Sequence, residues 1–375
     1  MISKLNNSII KKTILMKILT IYIVKTMAFY TLIVMLVWIS IYAFFNFLEE
    51  VKFIGQYNYT VFEATKYVIL NIPAVVYSHS SVIILLGSLL ALTNLASTSQ
   101  LVIIRSSGVS IMQISNIVVW VALMFIAIII LIGELVAPIT TEYAECLRSK
   151  ALEQKIICRN QQEFWLKDNG FFIHFKKDFD DKSFQDITFI KLRAPGVLDS
   201  IIYSDNATFN GNNLELSKSV HYQLSKNGEL TTFSQNNFKK YSVPISFNQK
   251  LIKNLKKDSR KLSTWHLYKQ ISFLTNNNLV ADIVEIEIYK RFMRPVTLVA
   301  MILFSMLFVF GSLRDASLGK KIFLGLMMSL FFELTSRIIG VLSLTFNYNH
   351  FLSASIPTLM ILVIVLVLLK RKSAN

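Results

Sequence analysis

The sequence predicts an α-helical membrane protein of three spans and three more, with an all-β, jelly-roll-like domain inserted between the two sets. Three observations carry this. The 375 residues are 53% hydrophobic and only 17% charged, against about 25% charged in an ordinary soluble chain. Five uncharged runs occur, at 26–48, 67–104, 106–133, 295–313 and 338–369, and a bilayer core about 30 Å thick takes about 20 apolar residues as helix. Between the third and fourth runs the pattern changes to short aromatic and β-branched stretches set off by turn residues.

The runs resolve into spans at 27–48, 71–95, 113–135, 293–312, 321–345 and 352–369. The polar stretch Asn94–Gln100 marks the turn after the second span, and Asn347–His350 the turn after the fifth. No short apolar core with a small-residue cleavage site precedes the first span, so no cleaved signal peptide is expected, and Met16 is an alternative start. Lys and Arg orient the chain. Lys4, Lys11, Lys12, Lys17, Lys25, Arg105, Arg314, Lys320, Lys321, Lys370, Arg371 and Lys372 fall on one side. Only Lys52 and Lys66 occupy the short loops opposite. Both termini are therefore expected in the cytoplasm. The net charge of +16 suits a basic membrane protein and calls for no nucleic acid.

This orientation puts about 140 residues outside. The expected organisation is 1–138 for the tail and first three spans, 139–280 for the outside domain with its linkers, and 281–375 for the last three spans and tail. Strand-like runs recur at 171–175, 186–192, 200–203, 207–209, 214–216, 221–224, 230–233 and 241–243, with Asn210-Gly211 as a hairpin signal. Runs at this spacing without helical periodicity between them suit a sandwich or jelly roll. Lys250, Lys253, Lys256, Lys257, Arg260 and Lys261 follow as a basic linker, read as a solvated stretch or as a contact with anionic head groups.

Catalytic patterns are absent. There is no phosphate-cradling loop, no H-E-x-x-H, no G-x-S-x-G and no G-x-G-x-x-G. The five histidines, 79, 174, 221, 266 and 350, show no ligand spacing, so neither metal nor cofactor is expected. Cys146 and Cys158 both fall outside, where a disulfide can form, but free buried thiols are the favoured state. Glu333 and Arg337 stand four apart in the fifth span, on one helix face, as a self-neutralised pair or a contact for a polar part of a substrate. Glu49, Glu50 and Glu134 end spans and are expected to snorkel to the interface.

Several segments carry a resemblance: Gly133-Glu-Leu-Val-Ala-Pro138 with Tyr143-Ala144 and Arg148, Phe164-Trp-Leu-Lys-Asp-Asn-Gly170, Phe310-Gly-Ser-Leu-Arg314 with Gly319, and Ser99-Gln-Leu-Val-Ile-Ile-Arg-Ser-Ser-Gly108. In order and spacing they resemble the lipopolysaccharide-export ABC transporter permease family (LptF/LptG), most closely its LptG branch, over nearly the whole chain. The resemblance implies a transport subunit rather than an enzyme. It would pair with an LptF-like paralogous permease, a dimeric cytoplasmic ATPase and a single-span LptC-like accessory protein. It would draw lipopolysaccharide from the outer leaflet of the inner membrane and hand it to a bridge of β domains toward the outer membrane. Leu101, Val102, Ile104 and Arg105 then belong to a helix that couples to the ATPase, with Gln100 where relatives carry an acidic residue. Lys52 and Arg148 match basic positions for the lipid's phosphates, with Glu49 beside Lys52. Asn46, Phe53 and Glu145 stand where relatives have further cations, and Arg294 and Arg337 are candidates to compensate. Phe171, Ile173 and Phe175 alternate along a strand and are candidates to line an acyl-chain groove. Two other readings fit the same spans: a scaffold or signalling permease without lipid cargo, and an intramembrane lipid-modifying enzyme using Glu333 or Glu134.

Overall fold

The computed structural model describes residues 2–106, 108–152, 164–180, 183–194, 197–210, 213–227, 230–255, 258–310 and 316–374. Cys158, Gly211, Lys256, Lys257 and Arg314 lie outside the described residues, as do the side chains of Lys4, Lys11, Lys12, Val102, Arg105, Lys250, Lys253 and Lys372. Among the described residues six helical stretches are long and apolar enough to cross a membrane: Lys17–Val51, Ser80–Ser97, Gln113–Ala151, Asp282–Phe308, Leu318–Phe346 and His350–Arg371. Helix α1 runs Ile2–Val51, α5 Ile111–Leu131, α6 Ala137–Ala151, α9 Asp282–Phe310, α10 Leu318–Phe346 and α11 His350–Ala374.

The second span differs from the continuous 71–95 expected. It is built from α2 (Val61–Ser78) and α3 (Ser80–Ser97), interrupted at His79. Pro73 lacks the N–H that Ile69 would receive, and Ser80 Oγ turns back to donate to the Tyr77 carbonyl at 2.8 Å. The His79 ring lies 5.6 Å from Trp38 and 6.2 Å from Tyr42.

The chain divides into two compact units, 1–49 with 71–140 and 286–375, and 50–70 with 141–285. The first unit is helical. Ile23 and Met27, Ile84 and Leu92, Ile114 to Ile129, Leu298 to Met306, and Val365 and Leu369 form one buried apolar cluster. Small residues permit the close approaches. A Cβ at Gly87 would lie 2.5 Å from Thr31 Oγ1, so α1 and α3 meet there with backbone nearly in contact. The Thr297 and Thr358 hydroxyls share a hydrogen bond of 2.8 Å between α9 and α11.

The second unit is built on a six-stranded antiparallel sheet whose strand order follows the chain: β1 (Phe164–Asp168), β2 (Phe171–Asp180), β3 (Ser183–Ala194), β4 (Val197–Asn210), β5 (Asn213–Asn227) and β6 (Leu230–Pro244). Among the described residues each strand of this inserted β domain pairs with its neighbours in the chain, an up-and-down order. Fewer, longer strands replace the short runs expected, because the pleat continues through polar residues. Ser204 Oγ bonds the carbonyls of Asn206 and Ser217, which joins 200–203 to 207–209 in one strand. Asn169 and Gly170, at φ of 47° and 81°, make the two-residue turn between β1 and β2.

Inner-face residues stack in register across strands: Leu166 opposite Ile173, Ile173 opposite Phe189, Phe189 opposite Ile202. Helices α7 (Gln249–Leu255) and α8 (Thr264–Asn276) cover this face with Ile252 and Phe273. The sheet is rolled. Six flat strands about 4.8 Å apart would separate β1 from β6 by about 24 Å. Yet the Asp168 carboxylate, on β1, accepts hydrogen bonds from Ser246 N at 2.9 Å and from Ser246 Oγ, two residues past β6.

Candidate functional site

Within the first unit, charges collect around a break in helical hydrogen bonding. Pro138 cannot donate to the carbonyl of Glu134, four residues back. The helix widens into a π-turn over Ile132–Val136, where Ala137 N–H reaches the Ile132 carbonyl. Single π-turns inside α-helices occur often at functional positions. The turn sets Gly133 against Tyr77, so close that a Cβ there would lie 2.1 Å from ring atom Cδ2. The Arg294 guanidinium lies over the same ring, 4.0 Å from its centroid, and Nη1 donates to the Tyr77 carbonyl. Arg291, whose side chain is 4% exposed, places Nη1 3.3 Å from Glu134 and Nε 3.5 Å from Glu287.

This cluster differs from the sequence expectation. Glu134 does not merely snorkel; it is bonded to a buried arginine. Arg291 and Glu287 were not singled out, although their spacing of four residues is that of an intrahelical pair. Two carboxylates and two guanidiniums balance in charge, and charges at membrane depth face a bundle interior in this way. Removing one member strands its partner in low dielectric. The pair read from the sequence in α10 forms as its spacing predicts: Arg337 Nε donates to Glu333 at 3.0 Å, with both side chains largely exposed.

The second unit holds another arginine site. Glu50 Oε2 accepts from Arg148 Nε at 2.8 Å and from the Tyr59 hydroxyl at 2.7 Å. Glu50 and Tyr59 are buried. The Arg148 guanidinium also lies over Phe53, 4.6 Å from the ring centroid, and over Tyr67 at 5.5 Å. Burial and the Glu50 carboxylate hold the Tyr59 hydroxyl well above the usual phenol range, so it stays a donor at physiological pH. Arg148 is thus oriented through Nε, and its terminal N–H groups make no hydrogen bond among the described residues. Lys52 and Glu49 are exposed, and neither forms an ion pair among the described residues. The carboxylate that anchors a cation here is Glu50, not Glu49.

Glu145, where a further cation was sought, accepts from Lys261 Nζ. Burial acts to lower the Lys261 pKa, but the hydrogen bond and charge of Glu145 outweigh it and leave it raised. Cys146, on the same helix, is disulfide-bonded, which corrects the expectation of a free thiol.

Helix α4 (Gln100–Ser106) lies where the coupling helix was expected and is followed by Gly108 at φ 86°. Leu101 and Ile104 are 3% and 8% exposed and belong to the core of the first unit, whereas Ile103 is 65% exposed. Residues three apart share a helix face, so that face is already occupied. Gln100 Oε1 accepts from the Tyr22 hydroxyl at 2.8 Å. In the sheet, Ile173 and Phe175 point to the inner face at 1% exposure, Phe171 is half-buried, and Phe172 lies on the outer face. Ile173 and Phe175 belong to the apolar cluster that Ile252 and Phe273 join from α7 and α8.

A family model described as "Lipopolysaccharide export system permease LptF/LptG" matches residues 21–371. The chain is 28% identical over 336 residues to the lipopolysaccharide export system permease protein LptG of Haemophilus influenzae, covering 89% of this chain and 93% of that one. It is 26% identical over 354 residues to the LptG protein of Escherichia coli K12, covering 94% and 98%.

Proposed function

The chain belongs to the lipopolysaccharide export system permease LptF/LptG family, and from that premise we propose that it draws lipopolysaccharide from the outer leaflet of the inner membrane and passes it to a bridge of β domains. The observation that carries this reading is the family match itself. It runs through all six apolar helices and the inserted sheet, so it concerns the whole architecture. Exposing each lipid CH₂ to water costs about 0.8 kcal/mol, and a multi-chain lipid therefore needs a continuous shield.

The partners proposed are an LptF-like paralogue, a dimeric cytoplasmic ATPase and an LptC-like single-span protein. Exposed apolar side chains on α1 and α10, such as Phe29, Phe44, Phe331 and Ile338, support contacts with lipid or the paralogue. Exposed Ile103, beside Gln100, supports docking of an ATPase at α4. The excess of Lys and Arg on one side supports cytoplasmic termini and a periplasmic sheet. Lys52 and the uncommitted N–H groups of Arg148 are proposed to hold phosphate, with Glu49 at their rim. Arg294 and Arg337 contribute the N–H groups left over from their present acceptors, the Tyr77 carbonyl and Glu333. An acyl path lined by Phe171, Ile173 and Phe175 requires α7 and α8 to separate from the sheet.

The test is purification of the chain from its native membrane in mild detergent, with mass spectrometry of co-purifying protein and lipid. Lipopolysaccharide and a second permease of the family are expected, together with ATP-dependent release of the lipid. A preparation with partner proteins but no lipopolysaccharide refutes the transport reading in favour of a scaffold.

A further inference from the structure

The second unit contains a cavity of about 400 Å³ between the end of β6, α7 and α8, apart from the Arg148 cluster. Its size falls in the lower part of the range for small-ligand sites, about 300–1,000 Å³. Its lining is mixed. Trp265 and Tyr268, both 62% exposed, hold their rings nearly parallel, at 19° with centroids 6.2 Å apart. Lys269 places its ammonium 5.0 Å from the Trp265 ring centroid. Asn248, Asn254, Ser272 and Asn276 also line it.

Asn254 is the informative member. It is 6% exposed, lines the cavity, and its side-chain amide makes no hydrogen bond among the described residues. Its amide atoms are not among the fully buried polar atoms left without a partner, so they stay accessible from the cavity. Asn248 uses only its carbonyl oxygen, which caps α7 at Leu251 N, 2.8 Å away, and so keeps two N–H donors.

We propose that this cavity binds a saccharide. A sugar ring has an apolar face of C–H groups and an edge of hydroxyls that both donate and accept. The Trp265–Tyr268 platform matches the face. The amides of Asn248, Asn254 and Asn276 match the edge, since each supplies donors and an acceptor in one plane. Among the described lining residues Lys269 is the one lysine or arginine, and it accommodates an acidic substituent. An acyl chain would leave these amides unsatisfied. The identity of the sugar as the head group of the cargo rests on the function proposed above; the site itself does not.

The experiment uses the full chain in lipid nanodiscs. The probe is core oligosaccharide released by mild acid from the host's lipopolysaccharide, titrated calorimetrically and by saturation-transfer NMR. Binding is expected, at least tenfold weaker in Trp265→Ala and in Asn254→Leu, and unchanged in Trp165→Ala, which removes an exposed tryptophan elsewhere in the sheet unit. Trp265 is a surface residue, so its variant keeps the test valid if Asn254→Leu fails to fold. The proposal is overturned if the parent binds no oligosaccharide, or if Trp265→Ala binds it as well as the parent. It is equally overturned if no oligosaccharide binds while brominated lipids quench Trp265, which would make the platform a membrane anchor. Co-purified lipopolysaccharide on the parent decides the transport reading separately. A chain that binds oligosaccharide without that lipid keeps the site and loses the cargo.

Discussion

Gly133→Ala tests whether the π-turn, the Tyr77 ring and Arg294 act as one unit. Three Tyr77 ring atoms lie 2.1, 2.2 and 2.6 Å from the position of the new methyl, against about 3.5–4.0 Å for unstrained carbon contacts. The ring must therefore shift by more than 1 Å as a rough estimate from those contact distances. It cannot do so in place, because Arg294 lies over it and bonds the carbonyl of the same residue. Overpacking typically costs about 1–3 kcal/mol, and the backbone constraint puts this case near the upper end. The assay is thermal inactivation of the detergent-solubilised chain, followed by size-exclusion chromatography. Gly133→Ala should be clearly less stable than the parent. Tyr77→Ala removes the obstruction, so Gly133→Ala should cost less than about 1 kcal/mol in that background, a coupling within the range for residues in contact. Equal stability of Gly133→Ala and parent, or an equal loss in both backgrounds, refutes the reasoning.

Three other outcomes are expected. Leu101→Asp buries a charge in the first unit's core and should abolish folding, whereas Ile103→Asp should fold normally and lose ATPase association in pull-down; the reverse ranking would place the docking face wrongly. Arg148→Gln should lower lipopolysaccharide affinity at least tenfold in the assembled complex. It should also destabilise by about 1–3 kcal/mol, less than the 3–5 of a fully buried pair because the side chain is 22% exposed, and adding Glu50→Gln should recover stability but not affinity. His221 is packed against Phe238 and Tyr241, and burial lowers its pKa. The unfolded chain then takes up a proton near the ordinary histidine value of about 6.5 while the folded chain does not, so stability should fall as pH drops below that value. Denaturation across pH 5 to 8 checks this, and His221→Gln should flatten the profile.

The helical frame was legible because an uncharged run long enough to span is a one-dimensional signal. The alternation of Ile173 and Phe175 against Phe172 was legible for a similar reason: period two needs no partner to be seen. What stayed hidden depends on neighbours distant in sequence. Glu134 and Arg291 are 157 positions apart, and the charged start of α9 reads as an interfacial run until Arg291 is found buried. The facing of α4 is not legible in the sequence, because seven residues carry too little periodicity to say which side meets the bundle. The order of the strands in the sheet was likewise not legible, because alternation marks a strand without naming its partner.

The strand order has a consequence for biogenesis. Each strand pairs with the one made just before it, so each hairpin can close as soon as its second strand appears. Sheets with such local pairing fold faster than those that wait on distant partners. Other bonds wait on chain made much later: those between Asp168 and Ser246 span 78 positions, and that from Asn169 N–H to Asn277 Oδ1 spans 108. The first strand is thus laid down with a carboxylate that stays hydrated until the sixth is complete, and only then is it withdrawn from water to 1% exposure. The roll is latched by its last residues, so a nascent chain halted before Ser246 holds a paired but unclosed sheet.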